Sequence, residues 1–266
     1  EISMNINPNI FRLYVIRGIA GKEFTQEEID KYEKWYGPFP GITLTPDAAH
    51  AIGKAYGTII RRGGGKKVVV GYEVRPFAEE LKDSFVSGIL STGCDVADAN
   101  ISLTPIIYFI TAFFGFDGGV NITGSHNVYF YNGFKLMKKD VWPLFGPELQ
   151  EMRGMIERED FIIEKSGNYE LLDANTPYQE YFLEHIKLSR KLKIVIDTGN
   201  GSAGIISPDL FRDLGCKVVE LYTKPDATFP NHTPDPEAPQ NMADLGNKVR
   251  EVGADLGIGF DADGDR

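Results

Sequence analysis

The chain has few cysteines, histidines and tryptophans: two, four and two among 266 residues. Cys94 and Cys216 alone cannot make a disulfide framework or a cysteine-rich metal site. Each stands beside an apolar, strand-like run, the setting of a buried free thiol, and free thiols suit a reducing compartment, so the expected location is the cytoplasm. No apolar run is long enough to cross a bilayer, and no cationic stretch leads into a signal-like apolar segment, so no membrane partner is expected. The most apolar stretch, residues 104–116, is too short to span and reads as a buried helix. Positive charge is also scarce, with 28 Lys and Arg against 38 Asp and Glu and a formal net charge of -10, which argues against generic nucleic-acid binding. Short tandem repeats and low-complexity segments are missing too.

What is present is enough apolar material, 42% of residues, for two packed domains. Thr45 followed by Pro46 predicts a helix from 45 to about 62, ended by a run of glycines. KKVVVGYE follows as a β-branched strand, then a helix over 76–92 with Phe77, Leu81, Phe85 and Ile89 at helical spacing. DVADANIS, TPIIYFITAFFG and GGVNIT continue as strand, helix and strand, the rhythm of a wrapped α/β sheet. Residues 148–168 are weakly patterned and charged, which suggests a helix and a crossover, and Pro177 opens the next helix. The domain boundary is therefore placed near 170, giving units 1–170 and 171–266. The second unit repeats the rhythm, with strands at 192–200, 216–222 and 256–260 and helices at 202–214 and 241–252. Five prolines make 225–239 a long loop.

Two stretches bear chemistry. FDADGDR closes the sequence, with Asp261, Asp263 and Asp265 alternating with small residues directly after the apolar run LGIGF. Three carboxylates converging at a strand end repel one another unless a hard cation offsets the charge, and an oxygen-rich site of this kind suits Mg²⁺ or a relative. The spacing is not that of an EF-hand, and a solvated acidic turn has the same local pattern. The other stretch, NITGSHNVYFYNGFK at 121–135, brings Ser125, His126 and Lys135 together behind a strand, with Gly124 permitting a tight turn. Locally it also fits an ordinary polar turn.

TGSHN, YNGFK and DADGDR, in this order, resemble the phosphohexomutases, and specifically their phosphomannomutase/phosphoglucomutase branch. YVIRG at 14–18, GYEVR at 71–75, IDTGNG from Ile196 and the Pro-rich stretch 229–245 extend the resemblance over essentially the whole chain. It implies two consecutive three-layer α/β/α domains with mixed, mostly parallel sheets. The first would carry a phosphoserine loop, and the second, expected to be incomplete, a metal loop. The family's sugar-recognition domain and distal phosphate-binding domain are expected to be missing from these residues, so the chain alone is expected to turn over little or no substrate. The resemblance implies a mutase exchanging hexose 1-phosphate and hexose 6-phosphate through a hexose 1,6-bisphosphate that also activates it, with Mg²⁺ held by Ser125, Asp261, Asp263 and Asp265. It implies phosphate stabilisation by Arg266, proton handling or charge at the acceptor by Lys135, organisation of the serine region by Arg17, and a supporting part for His126. The partners are phosphorylated hexoses, with glucose or mannose preference and oligomeric state left open. The sequence departs from the family at Val15, Glu73, Val128, Tyr129 and Phe130, which touches loop geometry and specificity rather than the phosphate donor or the metal ligands.

GNGSAG at 199–204 offers a competing reading. It satisfies the glycine spacing of a dinucleotide turn, follows a strand, and has Glu220 where a ribose-binding carboxylate would stand. A dinucleotide-dependent oxidoreductase and a non-catalytic sugar-phosphate-binding module therefore stand beside the mutase as alternatives. In the resembled family the same glycines serve close strand-to-helix packing.

Overall fold

The computed structural model describes residues 6–21 and 23–266. In chain order the elements are β1 (Ile16–Ile19), α1 (Gln26–Tyr36), α2 (Pro46–Arg62), β2 (Lys67–Tyr72), α3 (Ala78–Leu90), β3 (Asp95–Ile101), α4 (Thr104–Phe113), β4 (Gly118–Ile122), β5 (Tyr131–Lys138), α5 (Pro147–Glu157), β6 (Tyr169–Leu171), α6 (Asn175–His185), β7 (Lys193–Asp197), α7 (Ser207–Asp213), β8 (Lys217–Leu221), α8 (Ala243–Val252) and β9 (Leu256–Gly259). The strands form a six-stranded sheet ordered β1-β5-β4-β2-β3-β6 and a three-stranded sheet ordered β8-β7-β9. In the first sheet β4, β2, β3 and β6 run parallel, and β5 is antiparallel to both its neighbours. The second sheet is parallel throughout. The α/β class and the mixed, mostly parallel sheet expected from the sequence are therefore present.

Strand β2 explains why the first sheet needs cover on both faces. Its successive valines alternate: Val68 and Val70 join the cluster built on Ile52, Tyr56 and Phe85, while Val69 joins the one built on Ile106, Ile107 and Ile110. A strand buried on both faces reads as a continuous apolar run instead of an alternating one. Helices α2 and α3 close one face and α4 the other. Ala203 and Ile206, from the chain after β7, extend the α4 cluster, so α4 lies between the first sheet and the second unit.

Local chemistry sets most of the boundaries. Thr45 Oγ1 accepts the Ala48 N–H at 3.2 Å and Pro46 sits in the first turn, so α2 starts where the sequence predicts. Helix α1 has no counterpart in the sequence reading, yet its signal is present: Thr25 and Glu28 form a reciprocal capping box. The helix expected over 202–214 is divided into a 3-10 turn, Ser202–Ile205, and the short α7. Pro208 is the reason, because it has no N–H to continue the first turn into an α-helical ladder and its ring excludes the carbonyl four residues back. Helix α4 is not buried throughout as expected. Its last turn leaves Phe113 57% exposed beside Phe114 at 50%, and Phe113 meets the rings of Phe109, Phe114 and Tyr181. β6 spans residue 170 and pairs with β3, so the first sheet runs to Leu171. Both cysteines are buried and free. No helix among the described residues is long and apolar enough to cross a membrane.

Helices α2 and α3 touch through glycine. A Cβ on Gly53 would lie 2.1 Å from the Phe85 carbonyl oxygen, and one on Gly88 would lie 2.2 Å from that of His50. Backbone carbonyls cannot step aside as a side-chain tip can. Gly88→Ala is therefore expected to destabilise the protein by about 3 kcal/mol, the upper end for overpacking, read as a shift of the urea midpoint. A shift below about 1 kcal/mol would mean that the two helices separate more easily than this packing implies.

Candidate active site

Ser125 sits in the turn that follows β4. Its φ is +53°, in the left-handed region that a non-glycine residue rarely enters without being held there. The Ser125 N–H donates to Thr123 Oγ1 at 2.7 Å, and its hydroxyl donates to Asp261 Oδ2 at 3.1 Å. Asp261 follows β9, so the contact joins the ends of two strands from different sheets. The structure thus brings together residues 136 positions apart.

Asp261, Asp263 and Asp265 each bring a carboxylate oxygen within 4.8 Å of the others. Asp263 is fully buried, and its Oδ2 accepts from Thr104 Oγ1 at 2.6 Å, Thr123 Oγ1 at 3.0 Å and Lys135 Nζ at 2.7 Å. Lys135 also reaches Asp265. The lysine is on β5, where it pairs with Asn121 of β4, and Asn121 donates to Thr104 Oγ1 at 2.8 Å. Asp261 Oδ1 accepts the backbone N–H groups of Asp265 and Arg266, while Gly264 at φ +72° lets the chain turn back around it. Burial, then the charges of Asp263 and Asp265, push the Asp261 carboxyl up to about 8. Burial opposes ionisation of Asp263 as well, but Lys135 and the threonine hydroxyl hold it down to about 2. The Lys135 ammonium is raised despite its burial, because Asp263 and Asp265 stabilise its charge.

The donor set fits a hard divalent cation. Three carboxylates and a hydroxyl supply oxygen alone, and Asp263 Oδ1 is a buried carboxylate oxygen with no hydrogen-bond partner, which a metal ion would satisfy. The other candidates surround this centre. Arg17, on β1, donates through Nη1 to the Gly124 carbonyl; burial, with the charge of Arg75, lowers its guanidinium to about 10. His126 turns towards the Pro-rich loop, its Nδ1 3.4 Å from Asp235 Oδ2. Arg266 extends to Glu237 at 3.2 Å and contacts the centre through its backbone N–H. Sequence reasoning missed Thr104 and Thr123, whose hydroxyls are ordinary at a helix start and a strand end and gain meaning only from the buried carboxylate they face.

The turn at 199–204 is structural. The N–H groups of Asn200, Gly201, Ser202 and Gly204 are all taken up by protein carbonyls, so they cannot cradle a pyrophosphate. A Cβ on Gly204 would fall 1.8 Å from the Thr223 carbonyl oxygen, and one on Gly201 2.6 Å from Ala262 Cα. Glu220 is engaged by Arg212 and Thr223. Asp197 fixes this turn, accepting the Gly199 N–H at 2.8 Å and lying 3.2 Å from His232 Nε2 in the Pro-rich loop.

The site thus sets a serine hydroxyl against a carboxylate cluster, on adjoining strand ends of two α/β sheets. Comparison with known proteins gives the family. The model for phosphoglucomutase/phosphomannomutase alpha/beta/alpha domain I matches residues 8–162, and that for domain II matches 176–266. The chain belongs to the phosphoglucomutase/phosphomannomutase family. A phosphomannomutase/phosphoglucomutase of Pseudomonas aeruginosa is 37% identical over 258 residues, covering 97% of this chain and 51% of its own. A phosphoglucomutase of Neisseria meningitidis is 36% identical over 263 residues, covering 98% and 53%. The crystal structure of a phosphoglucomutase/phosphomannomutase family protein from Burkholderia thailandensis superposes with a TM-score of 0.87 at 37% identity, over 98% of this chain and 54% of that one. The chain spans about half the length of the curated relatives it matches.

Burial lowers the His232 imidazolium, but its hydrogen bonds to Asp197 and the Thr233 carbonyl, with the charges of Asp197 and Asp244, together outweigh burial and the net shift is upward. The pair therefore stabilises the fold fully below the unfolded value of about 6.5, and that contribution is lost as pH rises through the raised folded value. His232→Gln should remove this pH dependence. The urea midpoints of the two proteins should differ most near pH 6 and converge towards pH 9, and a constant difference across that range would rule the linkage out.

Proposed function

We propose that this chain forms the phosphoserine and metal-binding part of a phosphohexomutase that interconverts hexose 1-phosphates and hexose 6-phosphates of mannose, glucose or both. The observation that carries the reading is the hydrogen bond from Ser125 Oγ to Asp261, beside two further carboxylates within 4.8 Å. The units divided near residue 170 act as two domains that meet at this point, and the expected cytoplasmic location fits two buried free thiols.

The residues divide the work by charge. Ser125, Asp261, Asp263 and Asp265 would hold Mg²⁺, which when bound would neutralise charge on the phosphoryl oxygens. Phosphorylated Ser125 presents its phosphorus to the free hydroxyl of a bound hexose monophosphate. The bond from phosphorus to Ser125 Oγ breaks as one to the sugar oxygen forms, the proton of the sugar hydroxyl ends on the departing Ser125 Oγ, and a hexose 1,6-bisphosphate and a free serine hydroxyl result. Return of the other phosphoryl group to Ser125 regenerates the enzyme. Lys135 is held as an ammonium, the opposite of what a general base requires, so of its two expected roles the electrostatic one is favoured. Arg17 steadies the serine loop through the Gly124 carbonyl, His126 helps tie that loop to the Pro-rich loop, and Arg266 neutralises transferring phosphate once it turns from Glu237.

Incubation of this chain with Mg²⁺ and glucose 1,6-bisphosphate is expected to add one phosphate, located on Ser125 by peptide mapping. Ser125→Ala should take up none, and Asp263→Asn should slow uptake by about 100-fold or more. Phosphate on another residue, or undiminished uptake by Ser125→Ala, would sink the reading. In a protein of the relatives' full length, Ser125→Ala should cost at least about 1,000-fold in mutase rate.

A further inference from the structure

Arg75 has its side chain wholly buried behind the serine loop and engages it with both terminal nitrogens of its guanidinium. Nη2 donates to the Ser125 carbonyl at 2.7 Å, and Nη1 donates to those of Asn127 and Val128 at 3.0 and 2.6 Å. Nε donates to Glu73 Oε1, the same oxygen that accepts the Gly124 N–H at 2.6 Å. One ion pair therefore grips residues 124, 125, 127 and 128 through their backbone alone. Gly124 lets the guanidinium come so close, since a Cβ there would lie 2.4 Å from Arg75 Cζ. From the second unit, the ring of Phe229 covers the guanidinium at 5.0 Å, and Ser202 Oγ accepts the N–H of Val74 at 2.7 Å.

Because a trans peptide directs its C=O and N–H oppositely, drawing the carbonyls of Ser125, Asn127 and Val128 towards Arg75 turns the N–H groups of His126, Val128 and Tyr129 away from it. None of these three has a hydrogen-bond partner among the described residues. We propose that Glu73 and Arg75 are positioning residues for phosphoryl transfer: they hold Ser125 in its left-handed conformation and leave the following amides free to face a phosphoryl group, with Phe229 of the second unit locking the guanidinium in place. The proposal rests on Ser125 being the phosphate acceptor. A lysine in place of Arg75 keeps the charge but cannot reach three carbonyls and Glu73 together.

The test compares the wild-type chain, Arg75→Lys and Phe229→Leu. For each, phosphate uptake on Ser125 is followed over a range of glucose 1,6-bisphosphate concentrations with Mg²⁺, and amide hydrogen exchange is measured throughout the chain. Arg75→Lys is expected to lower the maximal rate about 100-fold, the cost of a misplaced reacting group. The half-saturating concentration should stay within about twofold, and exchange should quicken in the serine loop alone. Phe229→Leu should move both readouts the same way by a smaller amount. Wild-type rate and protection in Arg75→Lys overturn the proposal, as does a change in half-saturation with an unchanged maximal rate. If the wild-type chain takes up no phosphate, the phosphoryl-transfer reading is what fails, and loop exchange alone decides the positioning. If Arg75→Lys loses protection everywhere it has not folded, and Phe229→Leu decides.

Discussion

The carboxylate of Asp263 is the constraint around which the two halves of the chain are arranged. A fully buried anion is costly unless it is paired and hydrogen-bonded, and the hydroxyls and the ammonium that pair with this one come from the first unit: Thr104 at the start of α4, Thr123 beyond β4, Lys135 on β5. The loop after β9 can therefore lie in one place only. Docking it there brings Asp261 against the Ser125 hydroxyl, and the backbone bond from the Thr104 N–H to the Asp263 carbonyl at 3.0 Å fixes its height. The joint between the two units and the proposed centre of chemistry are the same set of contacts.

Charge is layered around that joint. Asp263 remains ionised because Lys135 and two hydroxyls face it, whereas burial and the charges of Asp263 and Asp265 push Asp261 towards its neutral form against the two backbone N–H groups that favour its anion. Behind the serine, Arg17, Arg75 and Glu73 form a second buried layer that touches the loop only through its backbone. The main chain around Ser125 is fixed without using its hydroxyl, which is how a site on a loop attains the precision of one on a regular element.

Much of this was legible in the sequence because it depends on local patterning. The β-branched run of β2, the Thr-Pro start of α2 and the alternating aspartates after LGIGF each have a meaning that neighbours within a few positions determine. Helix α1 was equally legible through its capping box, although the reading began beyond it. Thr104 and Thr123 were not legible, since a hydroxyl at a helix start or strand end is common and only a partner more than a hundred residues away gives it a role. The glycine turn at 199–204 carries the local signature of a cofactor site. Its function turns on whether its amides are free, and the chain folded against it occupies them.

The sequence by itself determined the alternation of strands and helices, the supply of carboxylates, hydroxyl and cations, and the tight turns that let them be presented, because these follow from side-chain shape, charge and spacing along a short stretch of backbone. Only the tertiary structure decided that Ser125 points at Asp261, that Lys135 is bound by carboxylates and so kept charged, and that Arg75 reaches the carbonyls of the serine loop. Burial sets the sign and strength of each of those interactions, and burial is a property of the packed chain.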